Sequence, residues 1–166
     1  VYRNRRALPR AFLAYRAEVA SDDAVLATLQ DAEYQPQDIV YLAAEQTASS
    51  PEGVTVTGNT AGEGGAVIRR YDPKSVEIDV STPAPAYLVL TDSYYPGWRA
   101  WIDESPVPIL RADLLFRAVR VTAGDHRVRF VFQPRSLRWG TLISALSGLI
   151  TLGWLGSCLM RKPVLY

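Results

Sequence analysis

The chain has 166 residues, with 18 Lys plus Arg against 17 Asp plus Glu and a formal net charge of +1. That length suits one domain with a core of its own, and the balanced charge gives no electrostatic reason to expect nucleic acid as a partner. A single Cys and a single His exclude an intrachain disulfide and leave too few nitrogen and sulfur ligands for an ordinary four-ligand zinc site.

Arg3, Arg5, Arg6 and Arg10 crowd the opening of the chain with no acid to offset them, as in a solvated segment or a contact for anionic lipid or phosphate. The chain opens Val-Tyr-Arg-Asn without a charged-then-apolar leader, and its one Met is Met160, so the expectation is a fragment of a longer protein. Ser21 is placed to cap a helix in which Asp22 and Asp23 favour the positive end and Val25, Leu26 and Leu29 share one face.

Ile39 to Ala43 is an apolar run of strand length, followed by a loop from Thr47 to Glu52. Gly58 to Gly65 resembles a phosphate loop only superficially, since it lacks the Lys-Ser/Thr ending and no helical period follows; a flexible turn between strands is expected. Val76, Ile78 and Val80 then alternate with polar residues, the period of a half-buried strand, and Tyr87 to Leu90 is continuous and apolar. Further strands are predicted over Trp98 to Ile102, Val107 to Leu110, Phe116 to Val121 and His126 to Phe132. Many short strands and one short N-terminal helix predict a mainly β fold, an antiparallel β-sandwich or jelly-roll-like domain.

From Trp139 to Met160 there is no charge, with Arg135 and Arg138 before and Arg161 and Lys162 after. At about 1.5 Å per residue such a helix spans about 33 Å, enough for the hydrocarbon core of roughly 30 Å. One C-terminal transmembrane helix is therefore expected over 139–160, with Cys158 as a small hydrophobe inside it and Ser144, Ser147 and Gly148 as a stripe that could pack on neighbouring helices. The predicted organisation is a β-rich domain over 1–134 and an anchor with a short basic tail over 135–166. So short a connection should keep the β domain close to the bilayer surface.

Tyr94, Tyr95, Trp98 and Trp101 form an aromatic group suited either to a sugar ring or to core and turn packing. Arg99 and Arg111, with Asp92, Asp103 and Asp113, suit surface ion pairs or contact with an anionic acceptor. His126, Ser136 and Ser144 lack a nucleophile-base grouping, so no catalytic residue, cofactor-binding residue or metal ligand is assigned.

The stretch from Val89 to Arg138 carries Tyr94-Tyr95-Pro96-Gly97-Trp98, Pro106 to Arg111, Phe116-Arg117-Ala118-Val119 and Ala123-Gly124-Asp125-His126, then switches into an apolar helix. In that order these segments, with Leu8-Pro9-Arg10-Ala11-Phe12 upstream, resemble the C-terminal region of the bacterial YfhO family of polytopic membrane proteins. One departure is Asp103-Glu104-Ser105, where the family commonly shows the Asp-Gly of a tight type I′ turn. The family is similar to GT-C glycosyltransferases, which use a polyprenyl-phosphate-linked sugar on the outer side of the membrane and carry the catalytic acid in an early extracytoplasmic loop. The resemblance implies an accessory domain on the extracytoplasmic side of the bacterial cytoplasmic membrane, with 161–166 inside. Membrane lipid, the other helices of the parent protein and an envelope glycan or polyprenyl-linked sugar are the implied partners. The competing reading is a non-catalytic, membrane-anchored module that binds carbohydrate or protein.

Overall fold

The computed structural model describes residues 8–31, 34, 39–44 and 64–160, with side chains at 135–139, 142 and 157–160 left aside. The expected loop over 47–52 and the basic residues Arg3, Arg5 and Arg6 lie outside the described residues, as does all of the Gly58 to Gly65 turn but its last two residues. The chain divides into two compact units, with the boundary between 132 and 133.

The first unit holds two sheets. Its strands are β1 (Ala11–Ala14), β2 (Ala17–Ala20), β3 (Val40–Ala43), β4 (Gly65–Asp72), β5 (Ser75–Thr82) and β6 (Ala86–Ser93). They continue with β7 (Trp98–Ile102), β8 (Ser105–Val107), β9 (Leu110–Ala112), β10 (Phe116–Val121) and β11 (Gly124–Phe132). One sheet has the order β1-β6-β10-β9-β3-β2 and the other β4-β5-β11-β7-β8. Every pairing is antiparallel except β2 with β3. Helix α1 (Asp22–Leu29) is capped by the Ser21 side chain, which accepts from the Ala24 N–H. Of its expected apolar face only Val25 is buried; Leu26 and Leu29 are exposed.

The first sheet cannot be flat. Its outermost strands, β1 and β2, are joined by Tyr15 and Arg16 alone, so Ala14 and Ala17 are at most about 11 Å apart along the chain. Six strands laid flat would separate them by about 24 Å. The sheet therefore curls until β1 and β2 are two halves of one bent strand. Phe12, Ala14, Ala17, Val40, Leu42, Tyr87, Val89, Leu110, Ala112 and Ala118 cluster on one of its faces, the inside of the curl, where four alanines leave the narrow space that strong curvature requires. The opposite face supplies Leu13, Leu88, Leu90, Val119 and Val121, which pack with Val76, Ile78, Val80, Val128 and Phe130 of the second sheet. Two sheets facing across one core make the β-sandwich, with a curled sheet on one side and a parallel pair that strand periodicity did not foretell.

Several strands fall where alternation places them. Val107 to Leu110 does not: β8 ends at Val107 and β9 starts at Leu110, because Pro108 lacks the N–H that a continuous ladder needs. Gly65 opens β4 and does not belong to a turn, while Gly64 lies so close to Tyr15 that an added Cβ would meet its hydroxyl oxygen at 2.0 Å. At the hairpin between β7 and β8, Asp103 and Glu104 both take left-handed φ, 47° and 71°, with Ile102 opposite Ser105. The tight turn is thus kept without glycine. Asp103 holds it by accepting from the Arg127 N–H at 2.8 Å and lying 2.6 Å from His126 Nδ1, contacts that keep its carboxyl below the ordinary carboxylate range.

The second unit contains α2 (Arg135–Met160). Ile143, Leu146, Leu149, Ile150, Leu152, Trp154 and Leu155 are exposed on it and, at 100° per residue, point to all sides. Ser147 and Thr151 return their hydroxyls to backbone carbonyls one turn earlier. Among the described residues no helix is long and apolar enough to cross a membrane. The expected span over 139–160 is therefore not supplied by the described part of α2, whose apolar residues are diluted by Gly140, Thr141, Ser144, Gly148 and Gly153.

Candidate functional site

The end of the first unit from which the chain leaves β11 gathers aromatic, cationic and acidic side chains. Phe132, the last residue of β11, pairs with Trp98, the first of β7, and their rings are 5.4 Å apart. The Pro96-Gly97 turn before β7, with Gly97 at φ 104°, brings Tyr95 to 6.4 Å from the same Phe132 ring. Tyr95 is 63% exposed, so one face of this aromatic group is open.

Beneath the rings lies Arg117. It stands in β10 at the parity of Val119 and Val121, facing the core, where a register shift between Phe116 and Arg117 adjusts its position. Its guanidinium carbon is 3.9 Å from the Trp98 ring centroid and 5.6 Å from that of Phe130. Nη2 donates to Asp92 Oδ2 at 2.8 Å, while Nε and Nη1 are buried without a partner. Burial lowers the Arg117 pKa, and the Asp92 carboxylate and Tyr71 oppose that shift. The Tyr71 hydroxyl lies 3.0 and 3.1 Å from the two Asp92 oxygens, and Arg10 closes the group by bonding Tyr71 and approaching Asp92 at 3.5 Å.

The six residues singled out from the sequence divide among three places. Tyr94, Tyr95 and Trp98 belong to this end, Tyr94 through its N–H, which donates to the Leu115 carbonyl. Arg99 and Trp101 have the other parity of β7 and face outward, with the Arg129 guanidinium 5.4 Å from the Trp101 ring. Arg111 is elsewhere, donating to Asp22 at 2.8 and 3.0 Å, which holds the Asp22 carboxyl below its usual value. The expected pairing of Arg99 and Arg111 with Asp92, Asp103 and Asp113 does not form: Asp92 takes Arg117 and Arg10, Asp103 takes His126, and Asp113 takes Tyr41. Strand alternation explains the division, since neighbours in β7 point to opposite faces.

Arg117, Tyr71 and Phe132 were not selected by composition. The usable signal was Arg117 at core parity in an otherwise apolar alternation. Rings, guanidinium groups and one ion-paired carboxylate suit contact with a flat ring or an anion. Among the described residues no cluster of His, Cys, Asp or Glu is placed to hold a metal ion.

Asp113 is the other unusual group. It is 4% exposed, accepts from the Tyr41 N–H at 2.9 Å, and has Oδ2 unpartnered. Burial pushes its pKa up to about 6 against the lowering effect of the Tyr41 and Tyr34 hydrogen bonds.

The family model described as Bacterial membrane protein YfhO matches residues 55–144, running from before β4 into the first turns of α2. No curated protein and no solved structure matches the chain. Because the family match covers more than half of the chain, and with it every member of the aromatic and Arg117 group except Arg10, the chain belongs to the YfhO family of bacterial membrane proteins.

Proposed function

We propose that this chain is the extracytoplasmic accessory domain and final membrane helix of a GT-C-like glycosyltransferase of the bacterial envelope, one that uses a polyprenyl-phosphate-linked sugar. The observation that carries the reading is the family match across both the β domain and the start of α2, which joins the two in one family unit. In this reading the uncharged run 139–160, about 33 Å long as a helix, crosses the bilayer, and 161–166 is cytoplasmic. Side chains such as Leu149, Leu152 and Trp154, exposed all round α2, favour an apolar surrounding over water. The β domain would position the acceptor or cover the reacting centre, the chemistry residing in an early extracytoplasmic loop of the parent protein. Removing residues 1–134 from the complete protein should slow glycosyl transfer or change acceptor choice. Unchanged rate and acceptor preference would refute the assignment.

The open face of Tyr95 favours a second reading, a membrane-anchored carbohydrate-binding module. Tyr95→Ala is the suitable probe, because Trp98 also covers Arg117 and its loss would disturb the fold. Glycan binding that disappears in Tyr95→Ala, with transfer unaffected by domain removal, would favour the module.

A further inference from the structure

The same end of the β domain carries apolar residues that the site does not use. Leu115 is 64% exposed at the tip of the β9–β10 turn. Its presentation is built: Asp113 and Leu114 both take left-handed φ, 44° and 70°, a conformation that costs a non-glycine residue about 1–2 kcal/mol. The strain is held by the Asp113 N–H donating to the Tyr41 carbonyl at 2.8 Å, by Arg111 donating to the Leu114 carbonyl at 3.2 Å, and by the Tyr94 N–H on the Leu115 carbonyl. Tyr94 in turn joins this tip to the Tyr95 turn, so Tyr95 and Leu115 project from neighbouring loops.

Those loops lie where β11 ends. The Phe132 N–H donates to the Lys74 carbonyl at 2.9 Å, which adds the β4–β5 turn and its cation to the same end. Only Gln133 and Pro134 separate Phe132 from α2. The acids nearby are already paired, Asp92 with Arg117 and Asp72 with Arg70. The opposite end, formed by the Asp103-Glu104 turn, Thr122 and His126, is polar.

We propose that the Tyr95 and Leu115 loop tips enter the headgroup layer of the bilayer, with Lys74 facing anionic lipid. This rests on the reading of α2 as a membrane anchor. An amphipathic Tyr, an exposed Leu and a Lys whose nearby acids are held by arginines are the chemistry that a lipid interface selects. The two residues between Phe132 and Arg135 span at most about 11 Å along the chain.

The test uses the full chain in vesicles of phosphatidylethanolamine and phosphatidylglycerol. In a Cys158→Ala background, Tyr95→Cys, Leu115→Cys, Glu104→Cys and Leu149→Cys are each labelled with an environment-sensitive fluorophore. Labels at 95 and 115 should shift to the blue and be quenched several-fold more by lipid-borne quenchers than the label at 104. Water-like labels at 95 and 115 beside a lipid-quenched label at 149 would overturn the seating while leaving the anchor intact. A water-like label at 149 would remove the anchor, and the seating with it. A blue shift at 115 that lipid-borne quenchers do not reach would mean a protein contact and would also overturn the assignment.

Discussion

Replacing Asp92 by Ala tests how the β domain tolerates a buried guanidinium. Arg117 has a side chain 3% exposed, and its one ionic partner among the described residues is Asp92, itself 16% exposed. Breaking a buried pair by removing one partner costs about 3–5 kcal/mol, because the remaining charge stays desolvated. The partial exposure of Asp92 places the expectation at the lower end, about 3 kcal/mol. At about 4 °C per kcal/mol for a domain of this size, that is a fall in Tm of about 12 °C. Arg117→Met should cost far less, within about 1 kcal/mol, since it removes the charge together with two unpartnered nitrogens and keeps an unbranched chain under Trp98. The double variant should regain most of the loss. Thermal unfolding of the detergent-solubilised chain, followed by Trp fluorescence, measures all three. A loss below about 1 kcal/mol for Asp92→Ala, or no recovery in the double variant, would refute the reasoning.

The Asp113 carboxyl, with a folded pKa of about 6, should make the domain more stable when protonated. Against an unfolded value of about 3.9, its contribution is fully present below pH 4 and lost as pH rises through 6, about 3 kcal/mol in all. Asp113→Asn should flatten that part of a stability-versus-pH curve measured by urea unfolding. Gly64→Ala should destabilise by about 1–2 kcal/mol, read as a lowered urea midpoint, because the new methyl forces Tyr15 from Thr82 and crowds the Ser81 carbonyl at 3.1 Å. Glu104→Gly should stabilise by about 1 kcal/mol, read as a raised midpoint, since glycine relieves a φ of 71° at an exposed turn position.

Periodicity located the strands that bury one face. Val76, Ile78 and Val80 are all buried as their alternation requires, and Trp98–Ile102 and Phe116–Val121 have the expected ends. It was silent on β1 and β2, because a bent strand rich in alanine has neither the β-branched signal nor one continuous register. The helix after Ser21 was legible from its cap, but its buried face was not, since only the neighbours that happen to cover a short helix decide which side is dry. For the candidate site, Tyr95 and Trp98 were visible as aromatics at a Pro-Gly turn, whereas Trp101 and Arg111 were separated from them by sheet parity and by distance in the fold. Arg117 was concealed because it owes its place to partners distant in the chain, Asp92 among them.

The bent strand that closes the first sheet has a kinetic consequence. Ala11 pairs with Leu90 and Ala17 with Val40, so one short stretch must meet partners from two distant parts of the chain. Contacts of such long sequence separation are paid for in loop entropy before they return any burial, and folds that depend on them assemble slowly. During synthesis this stretch emerges before either sheet partner and waits until β6 has left the ribosome. Closure is then a late event, and until it occurs Leu88, Val89 and Leu90 lie beside an unpaired strand edge. An early-folding second sheet with an unsealed first sheet is the intermediate this topology favours, and the species that a chaperone would meet.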